Sequence, residues 1–284
     1  MLCYQIGFIR ELRRQHFNLA IDLRTGTRGA ILALLSGASQ RIGFYAEDGK
    51  LWRNRVFTSL VRNNYQPDQY VADYLLDLLA AFNIKPSDKL PEYIVPPPRQ
   101  SEALHLLQKE GMNLKQPILA FQPFSLWDYK ELPESTVVAL LRKIIEDYQV
   151  DIILIGSPGE RNKANNIVNL IGTNIHNLAG RTTIEVLPAV LKCCSLFIGI
   201  DSAGLHLAAA VRVPTIGIFG PSSPASWAPR GLCHMVIQAE LDCLPCRQKG
   251  CNNSEISKCL QVLDHEFIYQ KIKPVIASRT NDNK

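Results

Sequence analysis

The segment from Leu196 to Pro221 constrains the fold more than any other part of the chain. An apolar run over 196–200 stops abruptly at Asp201-Ser202-Ala203-Gly204. Small residues follow over 205–211, with one imidazole, His206, among them. A second apolar run, 214–219, ends at Gly220-Pro221. Short apolar runs bounded by turn residues read as strands buried on both faces, with a helix between them. Polar groups therefore gather at the carboxyl end of one strand and the amino end of the next helix, where open α/β sheets bind ligands. Unpaired N–H groups at a helix start favour an anion.

The rest of the chain repeats this alternation. Helix 102–109 stops at Gly111, strand 117–122 follows, and helix 135–148 carries Val137, Leu140, Leu141, Ile144, Ile145 and Tyr148 at helical spacing. Strand 150–155 leads into a Gly-Ser-Pro-Gly turn, then helix 161–171, a segment 175–180 and helix 183–193. Alternating βα units with apolar strands predict a parallel, doubly wound α/β sheet. The tail, 264–276, reads as a helix interrupted by Pro274. Nearer the start, the pattern predicts helix 6–15, strand 18–23, helix 27–35, strand 40–44, a polar stretch over 45–55 and helix 68–82. The prolines of 91–98 mark a stiff linker, giving domains 1–95 and 96–284.

Composition excludes several classes. The chain has 284 residues, 46% hydrophobic and 20% charged, enough for two medium domains. No apolar run approaches the ~18 residues of a membrane span, and the start lacks a secretory h-region, so the cytoplasm is the expected compartment. A net charge of +5 suits acidic small molecules or an anionic surface. It is scattered and not interleaved with aromatics, which argues against nucleic acid. Of eight cysteines, Cys193 and Cys194 read as buried packing. Cys243, Cys246, Cys251 and Cys259 have metal-ligand side chains, but their spacing is unlike common zinc patterns. Zinc there is the lesser reading, beside buried or incidental thiols.

Dinucleotide-type Gly-x-Gly-x-x-Gly, P-loop and Gly-x-Ser-x-Gly motifs are absent from the sequence. Three strand-end candidates remain. Asp201 or Ser202 is either a helix cap or a ligand group, and spacing leaves both open. Lys130 is placed to meet a phosphate, or is a solvated loop lysine. Glu160 is placed to accept from ribose hydroxyls, or serves the dipole of the following helix.

Taken in order, these pieces resemble glycosyltransferase family 9, the ADP-heptose:lipopolysaccharide heptosyltransferases. The matching residues are Gln122-Pro-Phe-Ser with Lys130-Glu-Leu-Pro133, Ile155-Gly-Ser-Pro-Gly-Glu160, Leu178-Ala-Gly-Arg-Thr182, Gly199-Ile-Asp-Ser-Ala-Gly-Leu-His-Leu-Ala-Ala209 and Pro214-Thr-Ile-Gly-Ile-Phe-Gly-Pro221. The likeness runs over residues 18–273. It implies a GT-B-like fold, two Rossmann-like doubly wound domains facing a cleft, and metal-independent inverting transfer with no cofactor. Lys130 and Asp201 would be catalytic. Ser125, Lys130, Glu160, Asp201, Ser202, Ala203, Gly204 and His206 would bind the ADP-heptose donor. The lipopolysaccharide core would be the acceptor, with Arg24, Arg28 and Arg41 as candidate contacts and peripheral contact with the inner membrane face. Ala203 stands where the family also uses glycine. The chain opens in what resembles a later helix, and Asn18-Leu-Ala-Ile-Asp-Leu-Arg24 resembles a later strand. At least one βα unit of roughly 30 residues, with the acceptor-activating carboxylate, is expected to be missing. The alternatives are a sugar-nucleotide-binding protein without turnover, transfer of another nucleotide-activated sugar, and a metal-binding module on a Rossmann core.

Overall fold

The computed structural model describes residues 2–47, 51–62, 65–85 and 90–280. It divides into two compact units, Met1–Lys89 and Leu90–Lys284. The boundary falls before the prolines, because the chain after Leu90 already belongs to the second unit. Tyr93 N–H donates to the Ala210 carbonyl at 2.8 Å. Val95 is buried with Ala103, Leu107 and Ala208. The proline run is therefore no free linker: Pro97 and Pro98 form the first turn of a helix, where a missing N–H costs nothing.

The first unit runs α1 (Leu2–Arg14), β1 (Leu19–Asp22), α2 (Thr27–Leu35), β2 (Gln40–Phe44), α3 (Leu51–Val56), β3 (Ser59–Val61) and α4 (Val71–Ala80). Its three strands are parallel in the order β1-β2-β3. Ala30, Ala33, Val56 and Phe57 pack on one face against Ala20 and Leu60. Leu78, Tyr74, Leu75 and Leu79 cover Ile42, Phe44 and Val61 on the other. Beside that second cover, Leu19 and Ile21 of the edge strand β1, and Leu23 just after it, stay 42–44% exposed.

The polar reading of 45–55 misses α3 and its purpose. Arg53 is 1% exposed. Its guanidinium donates to the carbonyls of Phe44 (2.7 Å), Arg24 (2.6 Å) and Gly26 (3.3 Å), and pairs with Asp22 at 3.2 Å. One buried guanidinium, with several N–H donors, thus ties the loop after β1 to the end of β2.

The second unit runs α5 (Pro97–Lys109), β4 (Ile118–Gln122), α6 (Glu134–Asp147), β5 (Asp151–Leu154), α7 (Arg161–Ile171), β6 (Ile175–Asn177), α8 (Leu187–Lys192), β7 (Leu196–Ile200), α9 (Ala203–Ala210), β8 (Thr215–Phe219), α10 (Pro224–Trp227), β9 (His234–Gln238), α11 (Lys258–Gln261) and α12 (His265–Thr280). Six parallel strands lie in the order β6-β5-β4-β7-β8-β9. In sequence terms this is 3-2-1-4-5-6, the dinucleotide-fold order. Successive residues of one strand enter opposite cores. Leu119 and Phe121 of β4 join the side chains of α6, α7 and α12, and Ile118 and Ala120 join those of α5, α8 and α9. Three expectations shift. Strand β9 was not expected. The helix after segment 175–180 starts only at Leu187, past a turn over 180–186. The terminal helix runs through Pro274 to Thr280, held by buried Ile268, Tyr269, Ile272 and Ile276. Packing of that face outweighs the lost backbone bond. Among the described residues no helix is long and apolar enough to cross a membrane.

Replacing Arg53 by methionine leaves Asp22 buried without its cation, a change worth about 3–5 kcal/mol. Because all the Arg53 partners named above lie between Asp22 and Phe44, we expect the first unit to unfold at markedly lower urea while the second unit's transition stays in place. Urea titration followed by site-resolved hydrogen exchange checks this.

Candidate functional site

Strand order reverses between β4 and β7, so the connections leaving these neighbours pass to opposite faces and leave a crevice at their carboxyl ends. The three strand-end segments singled out in the sequence converge there. Asp201 follows β7 and is buried, 7% exposed at its side chain. Lys130, in the loop after β4, places Nζ 2.6 Å from Asp201 Oδ2. His206, one turn into α9, has Nε2 3.9 Å from Asp201 Oδ1. A single carboxylate thus sits between an ammonium and an imidazole. Desolvation by burial lowers the His206 pKa, against the raising pull of Asp201, and Lys130 lowers it further. The ring is neutral at pH 7 and is flanked by Trp227, 6.4 Å between ring centroids.

Loop geometry explains how Lys130 is aimed. Ser125 accepts the Trp127 N–H at 3.2 Å, and Ser125 N–H donates to Glu131 Oε1 at 3.0 Å. Glu131 Oε2 also pairs with Lys163 at 3.1 Å. From the far side, Ser257 Oγ donates to the Tyr129 carbonyl at 2.6 Å. The loop is tied at both ends, and a lysine held this way loses little entropy on meeting a ligand. Ser125 serves this turn; like Lys130, Asp201 and His206, it is outside the lining of the pocket described next.

A pocket of about 290 Å3 opens beside the ion pair, lined by Gln122, Gly156, Ser157, Glu160, Thr182, Thr183, Ile184, Ser202, Ala203 and Gly204 among others. Glu160 serves the start of the following helix and also lines the pocket. Its Oε2 accepts the Ser157 N–H at 2.5 Å in a reciprocal capping box, while the residue lines the pocket. The opposite wall depends on Gly180, at φ +68°, whose N–H donates to the Gly156 carbonyl at 2.9 Å. A Cβ there would stand 2.6 Å from Pro158 Cα, so only glycine lets the two loops touch. Ser202 is the cap residue of α9 by backbone conformation but makes no side-chain cap bond. Ala203 is exposed at the helix start, with its N–H facing the crevice end of the sheet.

Sequence reasoning passed over Gln122, Thr182, Thr183 and Ile184 as single residues, although their strand-end positions were legible. In the first unit, exposed Arg24 and Arg28 line a separate pocket of about 480 Å3 at the start of α2. Arg41 does not join them. Its guanidinium donates to the carbonyls of Val56 (2.6 Å) and Ala38 (2.5 Å), which makes it a bracing residue. The cysteines divide likewise: Cys194 and Cys259 are buried, Cys193, Cys246 and Cys251 partly so, and Cys243 is exposed. Among the described residues no three His, Cys, Asp or Glu side chains are grouped to hold a metal ion. Burial, then the neighbouring Cys246 and Cys251, push the Cys259 thiol up to about 11.

His206 gives a pH signature. Its folded pKa lies below the unfolded 6.5, so the unfolded chain takes up the proton first and stability is lost as pH falls through 6.5. His206→Gln should lose less stability between pH 7.5 and 5.5 than the native chain. Denaturation midpoints across that range test it. His234, also lowered by burial, keeps a residual slope of the same sign in both proteins.

The sequence model described as glycosyltransferase family 9 (heptosyltransferase) matches residues 6–257. Lipooligosaccharide heptosyltransferase 2 of Campylobacter jejuni is 30% identical over 131 residues, covering 44% of this chain and 41% of that protein. Lipopolysaccharide heptosyltransferase 3 of Escherichia coli is 29% identical over 233 residues, covering 78% of this chain and 64% of that one. This chain thus aligns to less than two thirds of either relative's length. Among solved structures, ADP-heptose lps heptosyltransferase II of E. coli superposes with a TM-score of 0.75 at 19% identity, covering 96% of this chain and 82% of its own. E. coli heptosyltransferase WaaC with ADP gives 0.70 at 19% identity, covering 96% and 77%. The α/β, GT-B-like fold class expected from the sequence is therefore borne out. With a family match over most of its length, the chain belongs to glycosyltransferase family 9.

Proposed function

We propose that the chain transfers heptose from ADP-heptose to the lipopolysaccharide inner core, at the cytoplasmic side of the inner membrane. One observation carries this reading: the Lys130–Asp201 pair, 2.6 Å long, stands beside the start of α9 and the pocket that holds Glu160. Domains 1–95 and 96–284 of the sequence reading keep their roles in this proposal, acceptor side and donor side, with the boundary moved to Lys89 and Leu90. Glu160 would take the ribose hydroxyls through the carboxylate oxygen that does not cap Ser157. Ser202, Ala203 and Gly204 would border the diphosphate. Arg24 and Arg28 would face the anionic acceptor.

The chemistry follows from where charge develops. An acceptor hydroxyl attacks the anomeric carbon on the face opposite the diphosphate and gives up its proton to solvent water, the bond from that carbon to the diphosphate oxygen breaks, and negative charge grows on the departing ADP. Lys130 and the helix start are preorganised for that charge, the task a metal ion performs in other transferases. Asp201 holds Lys130 in place and accepts from sugar hydroxyls. His206, kept neutral by burial, adds no charge beside the pair.

A second reading, nucleotide-sugar binding without turnover, is favoured by one fact. The strand-end carboxylate of β1, Asp22, is buried, paired with Arg53 at 3.2 Å and accepts the Arg24 N–H at 3.0 Å. It is not available as the base for the acceptor hydroxyl. Transfer to heptose-deficient lipopolysaccharide separates the two readings, and a panel of nucleotide sugars fixes the donor.

Lys130→Met is expected to weaken ADP binding about tenfold and to lower transfer by about 100-fold or more, since charge on the leaving group is greatest in the transition state. Calorimetry and a transfer assay with and without EDTA measure this, the chelator being without effect. ADP affinity equal to that of the native chain would remove Lys130 from the phosphate site.

A further inference from the structure

Gln122 ends β4 and is 8% exposed. Its carboxamide makes three hydrogen bonds at the base of the crevice. Oε1 accepts the Gly204 N–H at 3.0 Å, and Nε2 donates to Ser202 Oγ at 3.0 Å and to the Phe124 carbonyl at 3.2 Å. Gly204 is the second residue of α9, whose N–H a helix normally satisfies with its own cap side chain. Here the Ser202 side chain makes no such bond. The cap arrives from the neighbouring strand instead. The fit is close on both sides: a Cβ at Gly204 would overlap Gln122 Oε1, and one at Gly199 would stand 2.9 Å from the Gln122 carbonyl oxygen.

A carboxylate is the stronger partner for a helix start, because it answers the dipole as well as the N–H. At this position it would also place a negative charge against the one spot where an incoming anion must be held. A neutral amide satisfies Gly204 and leaves the positive field of α9 intact. It also pins Ser202, the residue next to Asp201 and hence next to the Lys130 pair. We propose that Gln122 is a positioning residue of the donor site, a neutral cap supplied in trans that fixes the 201–204 turn and keeps the α9 start open to an anion. The inference rests on the donor reading above for the identity of the ligand, though its anion chemistry does not require a nucleotide.

Two variants test it, with inorganic pyrophosphate and ADP as probes. Gln122→Glu keeps shape and the acceptor for Gly204. It should retain slow Gly204 amide exchange, lower the Tm at pH 7.5 through the lost donation to Phe124 and the buried charge, and bind pyrophosphate about tenfold or more weakly well below that Tm. The deficit should narrow as pH approaches 5, where a protonated carboxyl again donates and accepts. Gln122→Met removes the bonds without adding charge. It should speed Gly204 amide exchange and weaken pyrophosphate binding with no pH-dependent recovery. A Gln122→Glu protein that binds pyrophosphate as tightly as the native chain at pH 7.5 overturns the proposal, as does unchanged Gly204 exchange in Gln122→Met. A native chain that binds pyrophosphate but not ADP removes the donor reading and leaves this inference standing. A native chain that binds neither overturns both.

Discussion

The placement of β4 beside β7 is the constraint on which the second unit's chemistry depends. Parallel strands need long crossovers, and the right-handed sense of those crossovers fixes which face each helix covers. With the order 3-2-1-4-5-6, only the β4–β7 junction has connections leaving in opposite directions. Gln122 ends one of these strands, and Asp201 follows the other, with Gln122 opposite Gly199 in the register. The small residues of the β7–α9 segment then follow as necessities. Gly199 lets the strands close over the Gln122 side chain, and Gly204 lets α9 reach its amide. Larger side chains at either point would push the helix away from the sheet and open the turn that presents Asp201.

Several polar groups of the crevice and its loops hold the backbone in place, and Glu160 and Gln122 among them also line the pocket. Glu160 caps Ser157, Ser125 and Glu131 brace the Lys130 loop, and Gln122 caps α9. The functional and structural readings that spacing left open are therefore not exclusive at Glu160, where one carboxylate has two oxygens and can do both. At Arg41 two of the five guanidinium N–H groups go to carbonyls, which fixes the side chain as a brace and leaves it outside the pocket of Arg24 and Arg28. The hydrogen-bonding positions a side chain retains after its local partners are counted, and whether they reach a pocket, decide which case applies.

What the sequence made legible follows the same physics. The strands of the second unit were readable because burial on both faces makes them continuous apolar runs, and 196–200 appears with the expected bounds, as do helix 161–171 and, in the first unit, strand 40–44. The strand-end residues Lys130, Glu160 and Asp201 were readable because polar groups interrupt those runs at fixed places. Arg53 was hidden: a buried arginine in a polar segment looks like any solvated one until its carbonyl partners, far away in sequence, are known. The proline run was read as a linker because composition cannot show that Pro97 and Pro98 open a helix whose face is already part of a core. Helix α12 passes Pro274 because four buried side chains hold it on the sheet, a tertiary effect no local propensity contains. Gln122 stood within a motif that was noticed, but a glutamine's two-sided hydrogen bonding gains meaning only when the strand and helix it joins are placed together.

Net charge says little about the site, because the chain's excess of +5 is spread over its surface. Within the crevice the formal charges of Lys130 and Asp201 cancel, Glu160 is negative, and burial keeps His206 neutral. What favours an anion is arrangement: helix N–H groups with no side-chain cap of their own beyond Gln122, and a lysine held beside them by a carboxylate. Such a site costs little to assemble in the empty state, since Lys130 already has a counter-ion and Asp201 is not left buried alone. In the function proposed above, an anion would join Lys130 while Asp201 stays paired with it, and the reorganisation that a solvated lysine requires would be avoided. For a transfer whose main demand is to accept charge on a departing diphosphate, that preorganisation would be the principal contribution of the fold.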